Sequence, residues 1–363
     1  MKHKIVFISE AIRRDSHAPL RFFDRFEVLH FYLRAPYSDM TESDFRGSRQ
    51  VKLENLLDEI IRAKPDVIQG AEPFGSRLAY RLSQITLKAA QKTGAKLVVP
   101  IFENRPISQR FNLAQRAALW FLCPKLFRRA DAVVVLNYGA QQNVLGYYKN
   151  AKVETGIIWG VWGVDLDLFK PVGPKKRGQI VFVGRLVEDK GLKYLVEGFI
   201  KASKKISYIS LCLVGQGDYE REIRAMVKTA GVANRVEFAG VVPNVEVPKY
   251  LSQAELSVYP SITQKRWEEQ VGTVNFQAMA CGAVALTTKS GAIPEYIKDG
   301  QGAILVPERD ANAIARAIEK FYSDAGYRKK LQAATRLTAK EYDIKEEIEK
   351  AQKLVLRLLD EKE

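Results

Sequence analysis

The chain has 363 residues, 47% hydrophobic and 27% charged, with 57 Lys and Arg against 42 Asp and Glu for a net charge of +15. These proportions are those of an ordinary soluble globular protein and exclude a disordered chain, a collagen and a small disulfide scaffold. The length suggests two domains, and no apolar run approaches the ~18–20 residues of a membrane span.

The segment MKHKIVFISE has an apolar core of only Ile5 to Ile8 before Glu10 and no small-residue cleavage site, so it reads as a buried first strand and not as a signal peptide. KIVFIS (4–9), EVLHFYL (27–33), DVIQG (66–70), KLVVPI (96–101) and AVVVL (132–136) are compact apolar runs. Between them, Leu53, Leu56, Leu57, Ile60 and Ile61 form one stripe of a helix, and 74–93 and 107–129 are also predicted helical. The alternation lapses over 161–179, where Gly163, Pro171, Gly173 and Pro174 mark a linker. It resumes with IVFVG (180–184), YISLCLVG (208–215), RVEFAG (235–240), LSVYP (256–260), AVALTT (283–288) and AILV (303–306). Helical stripes fall on Leu192, Leu195, Val196, Phe199 and Ile200, and on Ile314, Ala317, Ile318 and Phe321, and the chain closes in a helical run near 344–360.

Strand alternating with helix predicts parallel sheets covered on both faces. The expected fold is therefore α/β, with two doubly wound Rossmann-like domains facing a central cleft. The expected divisions are 1–165, 166–340 and a terminal helix at 341–363 that packs back on the first domain. Ligands in such sheets bind beyond the carboxyl ends of the strands.

Three cysteines (Cys123, Cys212, Cys281) and three histidines, with no CxxC, argue against a disulfide framework and a metal site. A reducing cytoplasm is the expected location. The basic excess favours anionic partners. No helix-turn-helix, zinc or RNA-binding motif accompanies it, so nucleic acid is not an expected partner.

Three segments carry the chemistry. In GRLVEDKG (184–191), Gly184 permits a sharp turn, Arg185 offers a planar fork suited to phosphate oxygens, and Lys190 adds a point charge just before a helix. On spacing alone the two cations are equally read as surface charges flanking a turn. In PSITQKRWEEQVGTVNFQAMACG (260–282), a loop leads into a helix from about Gly272 to Ala280, whose first amides, at Thr273 and Val274, favour negative charge. Glu269 stands just ahead, able to accept hydrogen bonds from sugar hydroxyls or simply to cap the helix. In KSGAIPEYIKDGQGAILVPERD (289–310), glycines and a proline punctuate turns.

Taken in order, these segments resemble the family 4 glycosyltransferases of the GT-B fold. The resemblance rests on Gly184-Arg185 with Lys190, Pro260-Ser261, Glu269 with Gly272, Ala278 to Gly282, Ile293-Pro294-Glu295, Asp299-Gly300 and Pro307, together with Gly163-Val164-Asp165 and Phe169-Lys170-Pro171. It spans roughly 130–323 and is looser before that. It implies a retaining, metal-independent transfer of a hexose-type sugar from a nucleotide-diphosphate sugar, with no cofactor, to a glycan, lipid-linked sugar or phospholipid. Arg185 and Lys190 would bind the diphosphate, Glu269 the sugar hydroxyls, and the Thr273 and Val274 amides the distal phosphate.

The pattern breaks in two places. The family's second glutamate, eight positions after Glu269, is Gln277 here, which brings no charge to the ribose hydroxyls. A nucleotide-sugar binding protein with weakened catalysis is the alternative that follows. In the first domain the family's histidine loop reads Glu103-Asn104, so Glu103 and Asn104, or His17 in the opening loop, become the candidates for contacts near the transferred sugar and acceptor. Finally, Arg110, Arg116, Lys125, Arg128 and Arg129 surround Leu113, Leu119, Trp120, Phe121, Leu122, Leu126 and Phe127. That pattern suits either peripheral contact with an anionic membrane or a core helix with a basic outer face.

Overall fold

The computed structural model describes residues 2–35, 47–265 and 267–361. The chain divides into two compact units, one formed by Met1–Trp162 with Ile344–Glu363 and the other by Gly163–Asp343.

The first unit is built on a seven-stranded sheet. Its strands are β1 (Lys4–Ala11), β2 (Glu27–Arg34), β3 (Ser48–Gln50), β4 (Val67–Gln69), β5 (Lys96–Ile101), β6 (Ala132–Val135) and β7 (Val153–Glu154). Their spatial order is β3-β2-β1-β4-β5-β6-β7, and every pairing is parallel. The central strands read as near-continuous apolar runs because both faces are covered. On one face Val6, Ile68, Leu97, Val99 and Val133 pack with helices Leu56–Ala63, Arg77–Thr93 and Leu113–Arg129. On the other, Ile5, Phe7, Val67, Val98 and Val134 meet Phe23, Trp159 and Trp162 and the closing helix Ile344–Asp360.

That helix places Ile344, Ile348, Ala351, Leu354, Val355 and Leu358 in the core of the first unit. Burial of each large side chain contributes roughly 1.5–3 kcal/mol before ordering costs. Polar ties fix its position: the Glu347 carboxylate accepts from the Ile158 amide at 2.9 Å, and Gln352 accepts from the Arg25 amide at 3.0 Å.

The second unit carries β8 (Gln179–Val183), β9 (Ser210–Val214), β10 (Val236–Gly240), β11 (Leu256–Tyr259), β12 (Val284–Thr288) and β13 (Ala303–Val306). The order is β10-β9-β8-β11-β12-β13, again parallel throughout. Counting from β8, this is the 3-2-1-4-5-6 arrangement, in which the chain direction across the sheet reverses between the first and fourth strands. Ile180 sits opposite Leu256 at that junction.

Several elements differ from their predicted extents. The helix expected over 107–129 is broken: a single turn at Ile107–Arg110 ends at extended Phe111, and Asn112 restarts the chain as Leu113–Arg129. The cause is a capping box, in which Asn112 accepts from the Gln115 amide and Gln115 answers the Asn112 amide. Leu53 lies ahead of the helix that its stripe predicted, which spans Leu56–Ala63. Strands β3 and β7 have no counterpart among the expected runs. The three cysteines are free and buried.

Candidate active site

The junction between β8 and β11 organises the second unit's polar residues. After β8 the chain turns through Gly184 and Arg185 into a 3-10 turn, Glu188–Lys190, and then into helix Leu192–Ser203. Gly191 joins the two at φ +68, and a Cβ there would lie 1.8 Å from the Pro260 carbonyl oxygen. Only glycine lets the loop after β8 lie directly on the end of β11. The Ile262 amide completes this contact by donating to the Asp189 carbonyl at 3.0 Å.

This close approach brings together two residues 79 positions apart. The Lys190 ammonium donates to Glu269 Oε1 at 2.7 Å, and Ser261 Oγ donates to the same oxygen at 2.8 Å. Lys190 and Glu269 are only 8% and 7% exposed. The ammonium also lies over two rings, 4.1 Å from the Trp267 centroid and 5.2 Å from that of Tyr259. A desolvated cation gains from such ring faces as well as from its carboxylate. Burial, and secondarily the negative charge of Glu269, hold the Tyr259 hydroxyl well above its ordinary pKa.

Lys190 was expected as a mobile charge before a helix. It is instead buried and ion-paired, because the turn that carries it is clamped between Gly191 and Pro260. Glu269 does not cap the following helix. Helix Thr273–Ala280 has Gly272, at φ +76, in the cap position and no side-chain cap. Its first amides, at Thr273 and Val274, open the helix on the same loop as Glu269. Gln277 is half-buried one turn further on. Arg185 is the exposed member, with 69% of its side chain accessible and its guanidinium 3.7 Å from Asp189. The loop after β8 thus presents one exposed cation and one buried cation, the buried one paired to the acid four residues ahead of an uncapped helix start, where fixed dipoles favour an anion.

In the first unit the corresponding strand ends carry acids. Glu103, after β5, is buried and ion-paired to Arg110, and its other oxygen accepts from the Arg105 amide at 2.9 Å. Glu72, after β4, accepts from the amides of Phe102 and Glu103 at 2.8 and 2.6 Å. Desolvation pushes its pKa up to about 7, against the opposing influence of the Phe102 amide and the Arg110 charge. Asn104 is buried, and its backbone packs so tightly against Gly139 that a Cβ there would come within 2.3 Å of the Asn104 oxygen.

His17 is not in a loop. It ends the one-turn helix Arg14–His17, its ring stacks on His30 at 4.3 Å, and its Nδ1 lies 2.8 Å from the Arg13 amide nitrogen. Sequence reasoning missed Ser261 as a Glu269 partner, Trp267 and Tyr259 as the walls around Lys190, and Glu72. Ser261 and Trp267 stood inside the quoted 260–282 segment. Glu72 had the weaker signal of an acid two residues past a predicted strand.

Residues 165–338 match the family model described as glycosyl transferases group 1. Among curated relatives, the chain is 28% identical over 275 residues to the amylovoran biosynthesis glycosyltransferase AmsK of Erwinia amylovora, covering 74% of this chain and 65% of that protein. It is 29% identical over 175 residues to the GDP-mannose-dependent alpha-(1-6)-phosphatidylinositol monomannoside mannosyltransferase of Mycolicibacterium smegmatis, covering 45% and 46% of the two chains. The chain therefore spans between about half and two thirds of the length of these relatives. Among solved structures, HepE of Anabaena in complex with UDP superimposes with a TM-score of 0.79 at 16% identity, covering 98% of this chain and all of that one. At that identity the likeness shows the fold, which is GT-B.

Proposed function

We propose, from the match of residues 165–338 to the family model described as glycosyl transferases group 1, that the chain moves a hexose-type sugar from a nucleotide-diphosphate sugar to an acceptor hydroxyl, with retention of anomeric configuration and without a bound metal. One observation carries the proposal. Arg185, Lys190 and Glu269 lie on the two loops that leave β8 and β11, at the strand-order reversal where doubly wound sheets take their ligands.

In this mechanism the second unit holds the donor. Arg185 supplies a planar fork to the diphosphate, and its exposure leaves it available to a ligand. Lys190 has three protons, of which Glu269 takes one, so the ammonium can serve the carboxylate and a phosphate oxygen together. The start of helix Thr273–Ala280 adds its amides to the distal phosphate. As the bond to the sugar breaks, negative charge accumulates on the departing diphosphate. Two cations already in place stabilise that charge more than they stabilise the ground state, which is what accelerates the step. The low polarity around Lys190, walled by Tyr259 and Trp267, strengthens its share. Glu269, held by Lys190 and Ser261, accepts from hydroxyls of the transferred sugar and fixes its orientation. The acceptor is a glycan, a lipid-linked sugar or a phospholipid, and Glu103 and Asn104 are the proposed contacts for it. His17 is left out because its ring is stacked on His30 and its Nδ1 is engaged with the Arg13 backbone.

The test is turnover of UDP-, GDP- and ADP-hexoses by the purified chain in the presence of a chelator, with the anomer of the product read by NMR. Transfer or donor hydrolysis that Glu269→Ala abolishes, and that yields the donor's own anomer, is expected. Gln277, standing where an acid would charge the ribose contact, favours a second reading: a nucleotide-sugar binding protein with weakened catalysis. Donor binding without turnover would select it.

A further inference from the structure

Helix Leu113–Arg129 buries one side and leaves the other bare. Leu119, Leu122, Cys123, Leu126 and Phe127 point into the core, whereas Leu113, Trp120 and Phe121 are 79%, 57% and 74% exposed. At 3.6 residues per turn these three fall within an arc of about 100°, so they form a single outward ridge. Such a ridge of large apolar side chains is not accounted for by the fold of the first unit. Trp120 is held in place by an edge contact with Tyr147 at 5.0 Å. The ridge is edged by basic residues: on the same projection Arg116 lies on one side and Lys125 on the other, with Arg128 inside the arc two turns beyond Phe121. From residue 104 to residue 130 the sequence contains no Asp or Glu at all.

We propose that this face of the helix docks on the headgroup layer of an anionic phospholipid bilayer. The charge of the flanks complements acidic headgroups, and tryptophan and phenylalanine between basic residues suit the interfacial region, where ring and cation each find their own medium. No helix among the described residues is long and apolar enough to cross a membrane, so the contact is one of a helix lying in the interface. The face adjoins the end of the first sheet that carries Glu103, since Arg110 pairs with Glu103 and Asn112 opens the helix. Docking would therefore bring that sheet end close to the lipid surface.

The experiment is co-sedimentation of the full chain with vesicles of phosphatidylcholine alone and of phosphatidylcholine mixed with phosphatidylglycerol, at low and raised salt. Binding to the mixed vesicles only, weakened by salt, is expected. Leu113→Ser with Phe121→Ser, and separately Arg116→Gln with Lys125→Gln and Arg128→Gln, should each weaken it at least about tenfold, with unchanged circular dichroism and melting. A blue shift of tryptophan emission on binding that is absent in Trp120→Phe reports insertion directly, because Trp159 and Trp162 are already buried and the half-buried Trp267 is present in both forms. Failure to sediment, equal binding to both vesicles, or binding untouched by these variants would overturn the proposal. So would concentration-dependent self-association that the same variants abolish, which would assign the face to a second copy. None of these readings depends on sugar transfer, so the two proposals fail separately.

Discussion

Replacing Glu269 by alanine strands the Lys190 ammonium in the interior of the second unit. In the native chain that ammonium is 8% exposed, and among the described residues its partners are Glu269 at 2.7 Å and the rings of Trp267 and Tyr259. Removing one partner of a buried pair costs roughly 3–5 kcal/mol, because the remaining charge is left uncompensated. Two aromatic faces return about 1–2 kcal/mol of this, so a loss of about 3 kcal/mol is expected. For a unit of this size, each kcal/mol lowers the melting temperature by roughly 2–4 °C, giving a drop of about 6–12 °C. Removing both charges with apolar residues, as in Lys190→Met with Glu269→Leu, should be nearly neutral, since the desolvation cost of the pair vanishes with it. A double-mutant cycle through Lys190→Met, Glu269→Leu and the pair, read by thermal and denaturant unfolding, should thus give a coupling equal to the summed costs of the two single variants, at least about 3 kcal/mol. A shift below about 0.5 kcal/mol for Glu269→Ala, or a double variant as unstable as the sum of the singles, would refute the placement of a charged pair in this interior.

Gln277→Glu should tighten nucleoside diphosphate binding by about 1–2 kcal/mol, since a charged acceptor makes the stronger hydrogen bond; calorimetric titration of both forms checks this. Gly191→Ala should destabilise the second unit by at least about 2 kcal/mol, because φ +68 disfavours any side chain and the added carbon meets the Pro260 oxygen. An unchanged melting temperature would show that the two loops are not in that contact. Glu72 should make stability fall as pH rises from about 4.5 to about 7. Its folded pKa is raised above the unfolded value, so the native state holds the extra proton in that window and loses the benefit above it. Glu72→Gln should then be more stable than the parent at pH 8, by on the order of 2 kcal/mol, and no more stable at pH 4. His30 works in the opposite sense. Burial, helped by His17, lowers its pKa well below 6.5, so its contribution is present above that value and drains away as the solution is acidified; a melting profile of His30→Gln that flattens below pH 6.5 is expected.

The central strands were legible because two covered faces demand unbroken apolar runs, and KIVFIS, KLVVPI, AVVVL and AVALTT have no other physical reading. Strands β3 and β7 were not, because Ser48-Arg49-Gln50 and Val153-Glu154 lie at sheet edges, where solvent tolerates polar residues and the pattern dissolves. The break before Leu113 was hidden for another reason. Apolar periodicity runs through it, and only the reciprocal Asn112–Gln115 bonding stops the first turn. In the candidate site, residue types were readable but partners were not. Nothing local links Lys190 to Glu269; the pair exists because β8 and β11 are neighbours, which is a property of strand order. The helix Leu113–Arg129 offered two readings from its sequence, peripheral contact with an anionic membrane or a core helix with a basic outer face; in the fold its side chains divide, Leu122 buried and Phe121 exposed, adjacent in sequence but about 100° apart around the helix.

The decisive measurement is binding of UDP, GDP and ADP to the native chain and to Arg185→Ala, followed by calorimetry. Arg185 is exposed and its loss should leave the fold intact, so a change in affinity reports contact with the ligand and not damage to the unit. One of the three diphosphates should bind, with its affinity falling at least about tenfold in the variant, as expected for a lost charge-assisted bond. Binding of none of them, or equal affinity in both proteins, would contradict a diphosphate held at the ends of β8 and β11.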